Sequence, residues 1–183
     1  MDRESALALL KSQVKNKNLI KHMLATEAVM SSLAKQFNQD EALWALTGLL
    51  HDLDYDQTAQ QPEKHGLVGA RMLEDKGLPP ELVQAVKAHN DALGEERETL
   101  LDKALYAVDP VTGLLVAAAL IHPQKKLSAI DVDFVLNRFK EKSFARGANR
   151  EQIESCREIG LSLEDFIELS LAAMQNISGE LGL

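Results

Sequence analysis

Residues Leu105 to Ile121 read LYAVDPVTGLLVAAALI, and this run decides the fold. It is close to the shortest apolar stretch that crosses a bilayer as a helix. Yet Asp109, Pro110, Thr112 and Gly113 interrupt it, and polar groups at membrane depth are costly. A buried core helix fits better. An unpaired carboxylate in apolar surroundings must neutralise, pair or bind a metal. Proline removes one helical hydrogen bond and kinks the chain, here freeing the Tyr106 carbonyl. Two local penalties side by side point to a site. The plain structural alternative is a salt bridge from Asp109 to a helix neighbour such as Lys103.

Outward from this run, helical patterns dominate and no strand alternation lasts. Leu7, Leu10 and Val14 mark a first amphipathic helix, and Leu19 to Phe37 a second. Asn38 and Asp40 stand ready to cap a third, carrying Leu43, Leu46, Leu49 and Leu50. The polar stretch HDLDYDQTAQQPEKH reads as a loop, and its part between Asp54 and Lys64 has the length of a lid. Helices run next from about His65 to Lys76, stopped by Gly77, and from Pro79–Pro80 to about His89. Thr99 to Ile121 is long and kinked. Ser128 with Asp131, and Asn149 with Gln152, have capping-box spacing. Gly160 ends a short helix, and Leu161 to Leu181 closes the chain.

These signals predict an all-α bundle in one domain over residues 1–183. Its core spans about 19–121, with a C-terminal helical extension over about 125–183. The chain of 183 residues has 45% hydrophobic and 26% charged residues, as a packed core requires. A net charge of −8 argues against broad nucleic-acid binding, which needs a basic face. It leaves room for a small anionic substrate held by local cations or metal ions. The lone Cys156 excludes an internal disulfide, suits a reducing compartment and reads as a half-buried apolar filler. The N-terminus lacks the apolar run of a signal peptide, so a cytoplasmic protein without a membrane partner is expected. The last helix carries Phe166, Leu169, Leu171 and Ile177, which serve the core or an oligomer interface.

Of five histidines, His22, His51, His65 and His89 lie on separate helices or at their ends. In LTGLLHDLDYD, His51 and Asp52 close an apolar helical run. Imidazole with carboxylate suits iron, manganese, zinc or another divalent transition metal. One His-Asp pair alone is equally a bland salt bridge. His122, before Pro123, reads as a surface histidine at a helix end.

The order of the set is more specific. A histidine, a His-Asp pair and a distant aspartate, spread over helices of one bundle, resemble the HD-domain metal-dependent phosphohydrolases. The resemblance covers roughly Leu19 to Leu120. HGLVGA and AHN are similar to its binuclear branch. HDLDYD, AVDPVTGLL and KSFARGANREQIE are similar to short prokaryotic members. The resemblance implies that His22, His51, Asp52 and Asp109 hold one metal ion. Asp52 would bridge to a second, held by His65 and His89. In single-metal members, residues placed like His65 and His89 serve the substrate phosphate. Asp52, His65 and His89 thus take the catalytic roles. Gly66 and Gly69 would let their helix approach closely, and Thr112 and Gly113 would leave room beside the site.

The activity that the resemblance implies is that of a phosphohydrolase. It would act on a phosphate monoester, a phosphodiester or a nucleotide through a metal-activated hydroxide. The rival enzyme reading is an HD-fold di-iron oxygenase. A non-catalytic ligand-binding module is the third. Glu27, Asp54 and Asp56 are candidate partners for the second ring nitrogens of the histidines. Lys64, Lys125, Lys126, Lys142 and Arg146 are candidate substrate-binding cations. No phosphate-binding glycine loop and no nucleophile elbow is present. Aromatic residues make up 4% of the chain, too few for a base-stacking surface.

Overall fold

Nearly every long helix begins at a side chain that accepts one of its unpaired first-turn N–H groups. In the computed structural model, which describes residues 1–183, Asp2 caps α1 (Arg3–Gln13), Asn16 caps α2 (Lys17–Gln36) and Asp40 caps α3 (Glu41–Leu50). A single turn, α4 (Tyr55–Thr58), sits inside the polar loop. Helix α5 (Leu67–Asp75) begins after Gly66, whose φ of 80° no residue with a Cβ adopts cheaply. Pro80 opens α6 (Pro80–Ala88). Thr99 and Asp102 form a reciprocal capping box at the start of α7 (Leu100–Ile121). Asp131 caps α8 (Val132–Lys140), Asn149 caps α9 (Arg150–Glu154) and Ser162 caps α10 (Leu163–Asn176). A last turn, α11 (Ser178–Leu181), ends at Gly182. There are no strands, and the fold is all-α as expected.

Three local expectations need correction. Helix α5 starts two residues after His65, because the left-handed Gly66 breaks the helix between them. Ser128 does not cap α8. It lies exposed in a tight turn, Leu127–Ala129, while Asp131 alone accepts the N–H of Phe134. Leu161 to Leu181 is two helices, separated at Ile177.

Helix α7 is the central rod. It touches α2, α3, α6, α8, α9 and α10. Leu105, Val108, Val111, Leu114 and Leu115 are fully buried on it. By length and composition α7 would cross a membrane, but 61% of its apolar window is buried inside the bundle. The C-terminal helices share its core. Phe166, Leu171, Val135 and Phe139 belong to the same apolar cluster as Val29, Leu33 and Trp44. A second cluster joins α1, α3, α5 and α6 through Leu10, Leu50, Leu73 and Leu82. Helices α2, α3 and α6 contribute to both clusters. Cys156 is fully buried rather than half-buried, and burial pushes its thiol up to about 11.

The proline on α7 has a counterpart far along the chain. Pro110 has no N–H to offer the Tyr106 carbonyl one turn earlier. The Gln152 side chain on α9 supplies the missing donor at 2.9 Å. Gln152 therefore turns towards α7 instead of back towards Asn149. Arg150, also on α9, places its guanidinium among six carbonyls. They belong to Arg138 and Phe139 in the last turn of α8 and to Glu141, Phe144, Ala145 and Ala148 in the loop after it.

Candidate metal centre

Two of the four histidines sit at helix ends for a local reason. The last carbonyls of a helix lack intrahelical donors. His51 is the C-terminal cap of α3 and its Nδ1 lies 2.9 Å from the Gly48 carbonyl. His89 caps α6 in the same way, with Nδ1 2.6 Å from the Val86 carbonyl. A carbonyl only accepts, so each Nδ1 carries the proton and each Nε2 presents a lone pair.

The other two histidines reach the same state by different routes. His65 Nδ1 lies 3.1 Å from Asp54 Oδ1, and a carboxylate only accepts. His22 Nδ1 lies 2.9 Å from Thr112 Oγ1. The one proton of that hydroxyl goes to the Asp109 carbonyl at 3.0 Å, so the hydroxyl accepts from His22. All four Nε2 lone pairs then face inward.

They meet in two groups. His22 Nε2 and His51 Nε2 are 3.2 Å apart, and His65 Nε2 and His89 Nε2 are 3.1 Å apart. Asp52 divides its carboxylate between the groups. Its Oδ2 is 3.6 Å from both His22 and His51, and its Oδ1 is 3.3 Å from His65 and 3.5 Å from His89. Asp109 Oδ1 joins the first group, 3.1 Å from His22 and 3.8 Å from His51. Lys103 is not its partner.

Lone pairs facing one another at such distances repel unless a proton or a metal cation lies among them. Ligands about 2.1 Å from one ion stand roughly 3.0–3.5 Å apart, depending on coordination geometry. Most of the separations match that range. The donor atoms of His22, His51 and Asp52, and those of Asp52, His65 and His89, form two compact ligand sets. The residues present therefore fit divalent metal ions. The C-termini of α3 and α6, where His51 and His89 stand, add negative helix-dipole ends that favour cations.

Electrostatics agree. Burial opposes the charged forms of Asp52 and Asp109, but the surrounding imidazoles hold both carboxyls well below the usual range. Burial also opposes a charged His65, yet Asp52 and Asp54 outweigh it and push His65 up to about 10. With no cation nearby, these carboxylates would keep a proton on His65.

Asp54 is the hub behind the second group. It is fully buried and accepts the backbone N–H groups of Gly66 and Gly69 as well as His65 Nδ1. A Cβ on Gly66 would stand 2.8 Å from the Val86 carbonyl, so glycine is required there for this approach. Of the other two candidate partners, Glu27 pairs with Arg3 and Asp56 accepts the N–H groups of Lys15 and Asn16. Neither touches a histidine of the cluster. Thr112 does more than leave room, since its hydroxyl orients His22.

None of the candidate cations pairs with a carboxylate of the cluster. Lys64 is exposed and bonds to Gln61. Lys125 and Lys126 are exposed beyond the far end of α7, whose last twelve residues after Asp109 extend roughly 18 Å. Lys142 and Arg146 are exposed on the loop that Arg150 organises. A cation outside that set, Lys21, stands next to His22. It lines a cavity that also touches His22 and Thr112. The helical stripe Asn18, Lys21, His22, Ala25 is the signal that marks it in the sequence. His122 packs edge-on against Phe134, away from the cluster.

Similarity to known proteins points the same way as this geometry. The family model described as HD domain matches residues 19–131. An uncharacterized protein of Methanocaldococcus jannaschii is 27% identical over 78% of this chain and 86% of its own length. Ribonuclease Y of Desulfotalea psychrophila is 25% identical over 73% of this chain, but the match spans only 26% of that longer protein. A tRNA (cytidine(56)-2'-O)-methyltransferase of Thermoplasma volcanium is 27% identical over 81% of this chain and 44% of its length. No solved structure matches. The family match covers more than half of the chain and includes every histidine and aspartate of the cluster: this protein belongs to the HD domain family.

Proposed function

We propose that this chain is a metal-dependent phosphohydrolase with two ion positions, acting on a small phosphorylated substrate. The observation that carries the reading is the division of six donors into two groups that share the Asp52 carboxylate. His22, His51, Asp52 and Asp109 would hold one ion, and Asp52, His65 and His89 the other, with iron, manganese and zinc all suited to this donor set. Ions bound there would supply the Lewis acidity that acidifies a water and neutralises charge on a phosphoryl group.

The chain's own residues prepare that chemistry. The Nδ1 bonds fix each imidazole in the tautomer that leaves Nε2 free. His51, His89 and Asp52 are nearly inaccessible, while His22 and Asp109 have 22% and 30% of their side chains exposed. Substrate would therefore approach over the His22–Asp109 edge. The two relatives named for RNA are matched over less than half of their lengths. The net charge of −8 favours a compact substrate over a nucleic acid here.

The test is metal content per chain for protein purified without chelators, then phosphate release from a panel of esters under that metal. About two ions per chain, with turnover that His51→Ala abolishes in a folded protein, is the expected result. Absence of metal even after iron, manganese or zinc is added back would overturn the proposal. Oxygen uptake by an iron pair without phosphate release would replace it with oxygenase chemistry on the same ligands.

A further inference from the structure

Gly113 is in the wrong place for a helix. It lies mid-way along α7, where glycine is less favourable than alanine. Packing does not require it, because a Cβ added at Gly113 meets no atom within 4 Å. Gly48 is the contrast. A Cβ there would stand 2.8 Å from the Thr26 backbone, so the contact of α2 with α3 explains it. Gly113 is exposed, and a side chain there would enter the open space beside it.

That space belongs to an open groove of about 400 Å³ between α2, α7 and the segment Leu181 to Leu183. Volumes of this order suit a small organic ligand. Asp109, Gly113, Val116 and Leu120 are spaced by four, three and four residues, so they form one stripe of α7. The stripe leads from the cluster along the cavity wall. Asn18, Lys21, His22 and Ala25 form the facing stripe of α2, and Leu181 closes one side. The walls are chiefly apolar. Lys21 is the cation among them, and it forms no ion pair with any acid of the chain.

We propose that this cavity receives the organic body of the substrate, and that Gly113 sets the size it admits. The substrate class is a monoester with one phosphoryl group on a compact apolar body larger than a two-carbon chain. Lys21 offsets a single anionic charge at the mouth. The apolar walls hold the body, and a polyphosphate or a nucleic-acid strand finds no run of cations there. The proposal rests on the phosphohydrolase reading for its chemistry, while the cavity can be tested without turnover.

The experiment compares phenyl phosphate with ethyl phosphate as substrates, and phenylphosphonate as an inert ligand, for wild type, Gly113→Trp and Val116→Phe. Circular dichroism and metal content select the variants that fold and load normally. Filling the cavity is expected to lower the kcat/KM ratio of phenyl to ethyl phosphate by about tenfold or more. Phenylphosphonate binding should weaken in parallel, and Lys21→Met should weaken it as well. Wild-type turnover with an unchanged ratio in folded variants overturns the cavity and leaves the phosphohydrolase reading intact. Absence of turnover, with phenylphosphonate binding that Gly113→Trp removes, overturns the hydrolase and retains the cavity. Neither turnover nor binding in wild type overturns both.

Discussion

Asp54 and Asp56 are two residues apart and chemically identical, yet only one supports the cluster. Asp54 holds His65 in the tautomer that exposes Nε2, while its other oxygen takes two N–H groups at the start of α5. Asp54→Asn keeps the shape and breaks the logic. If the amide oxygen still accepts those N–H groups, the amide nitrogen faces His65 Nδ1. Two donors then oppose each other, and the ring proton moves to Nε2, where an ion would bind. The variant is expected to fold but to lose affinity at the His65–His89 position by about 10–100-fold. A metal titration with zinc or manganese checks this, and unaltered affinity would contradict it. His51, His89 and Asp109 are legible in the sequence because polar residues in apolar helices stand out, whereas His22 and His65 are legible through the order of the set that resembles the family. Their partners are not. Glu27, Asp54 and Asp56 look alike until tertiary structure gives Glu27 to Arg3 and Asp56 to the link between α1 and α2. The Thr112 hydroxyl is equally silent, because its role depends on a ring 90 residues earlier.

At the scale of the helix, two elements carry the cluster by close approach. Helices α2 and α3 meet at Gly48 with no room for a methyl group. Gly48→Ala must push backbone from backbone, and it should destabilise the fold by roughly 1–3 kcal/mol. Because His51 lies three residues on, metal affinity should fall with it. A urea midpoint equal to wild type would refute the close-contact argument. Helix α7 offers a sharper test. Gln152→Ala leaves the Tyr106 carbonyl without its donor and should cost about 1–3 kcal/mol. Pro110→Ala restores the helical N–H at that turn. In its presence the same Gln152→Ala change should cost less, a coupling that a double-mutant cycle measures. The helices themselves are readable from apolar spacing and caps, and Pro110 announces a freed carbonyl. Its donor is not readable, because Gln152 lies 46 residues away. The start of α5 is misplaced by sequence because a glycine at positive φ looks no different there from one inside a helix.

Across the whole molecule, the cluster ties stability to pH. In the metal-free protein Asp52 and Asp109 are held below their usual 3.8. The stability they contribute is present above that value and is lost as pH falls through the folded pKa values. His65 is raised from 6.5 to about 10. Its contribution is complete below 6.5 and is lost as pH rises through about 10. Metal occupying the cluster would take the place of that proton, so the alkaline limb should flatten. Thermal unfolding with and without a chelator, between 6.5 and about 10, compares the two states. Identical alkaline limbs would count against metal at His65.

The C-terminal third reads in sequence as an extension, and it forms part of the main apolar cluster with α2 and α7. The stretch KSFARGANR stands out in sequence for Lys142 and Arg146, but Arg150 is the residue that organises it. Its six partners are carbonyl dipoles rather than carboxylates. Added salt screens exposed ion pairs such as Arg138–Glu141, because it supplies competing ions. It has less purchase on a half-buried charge held by six of the chain's own carbonyls. Protection of the Phe144 and Ala148 amides, which donate to the Glu141 and Ala145 carbonyls, should therefore persist at high ionic strength, while Arg150→Lys, without the planar fork, should lose that protection in any salt.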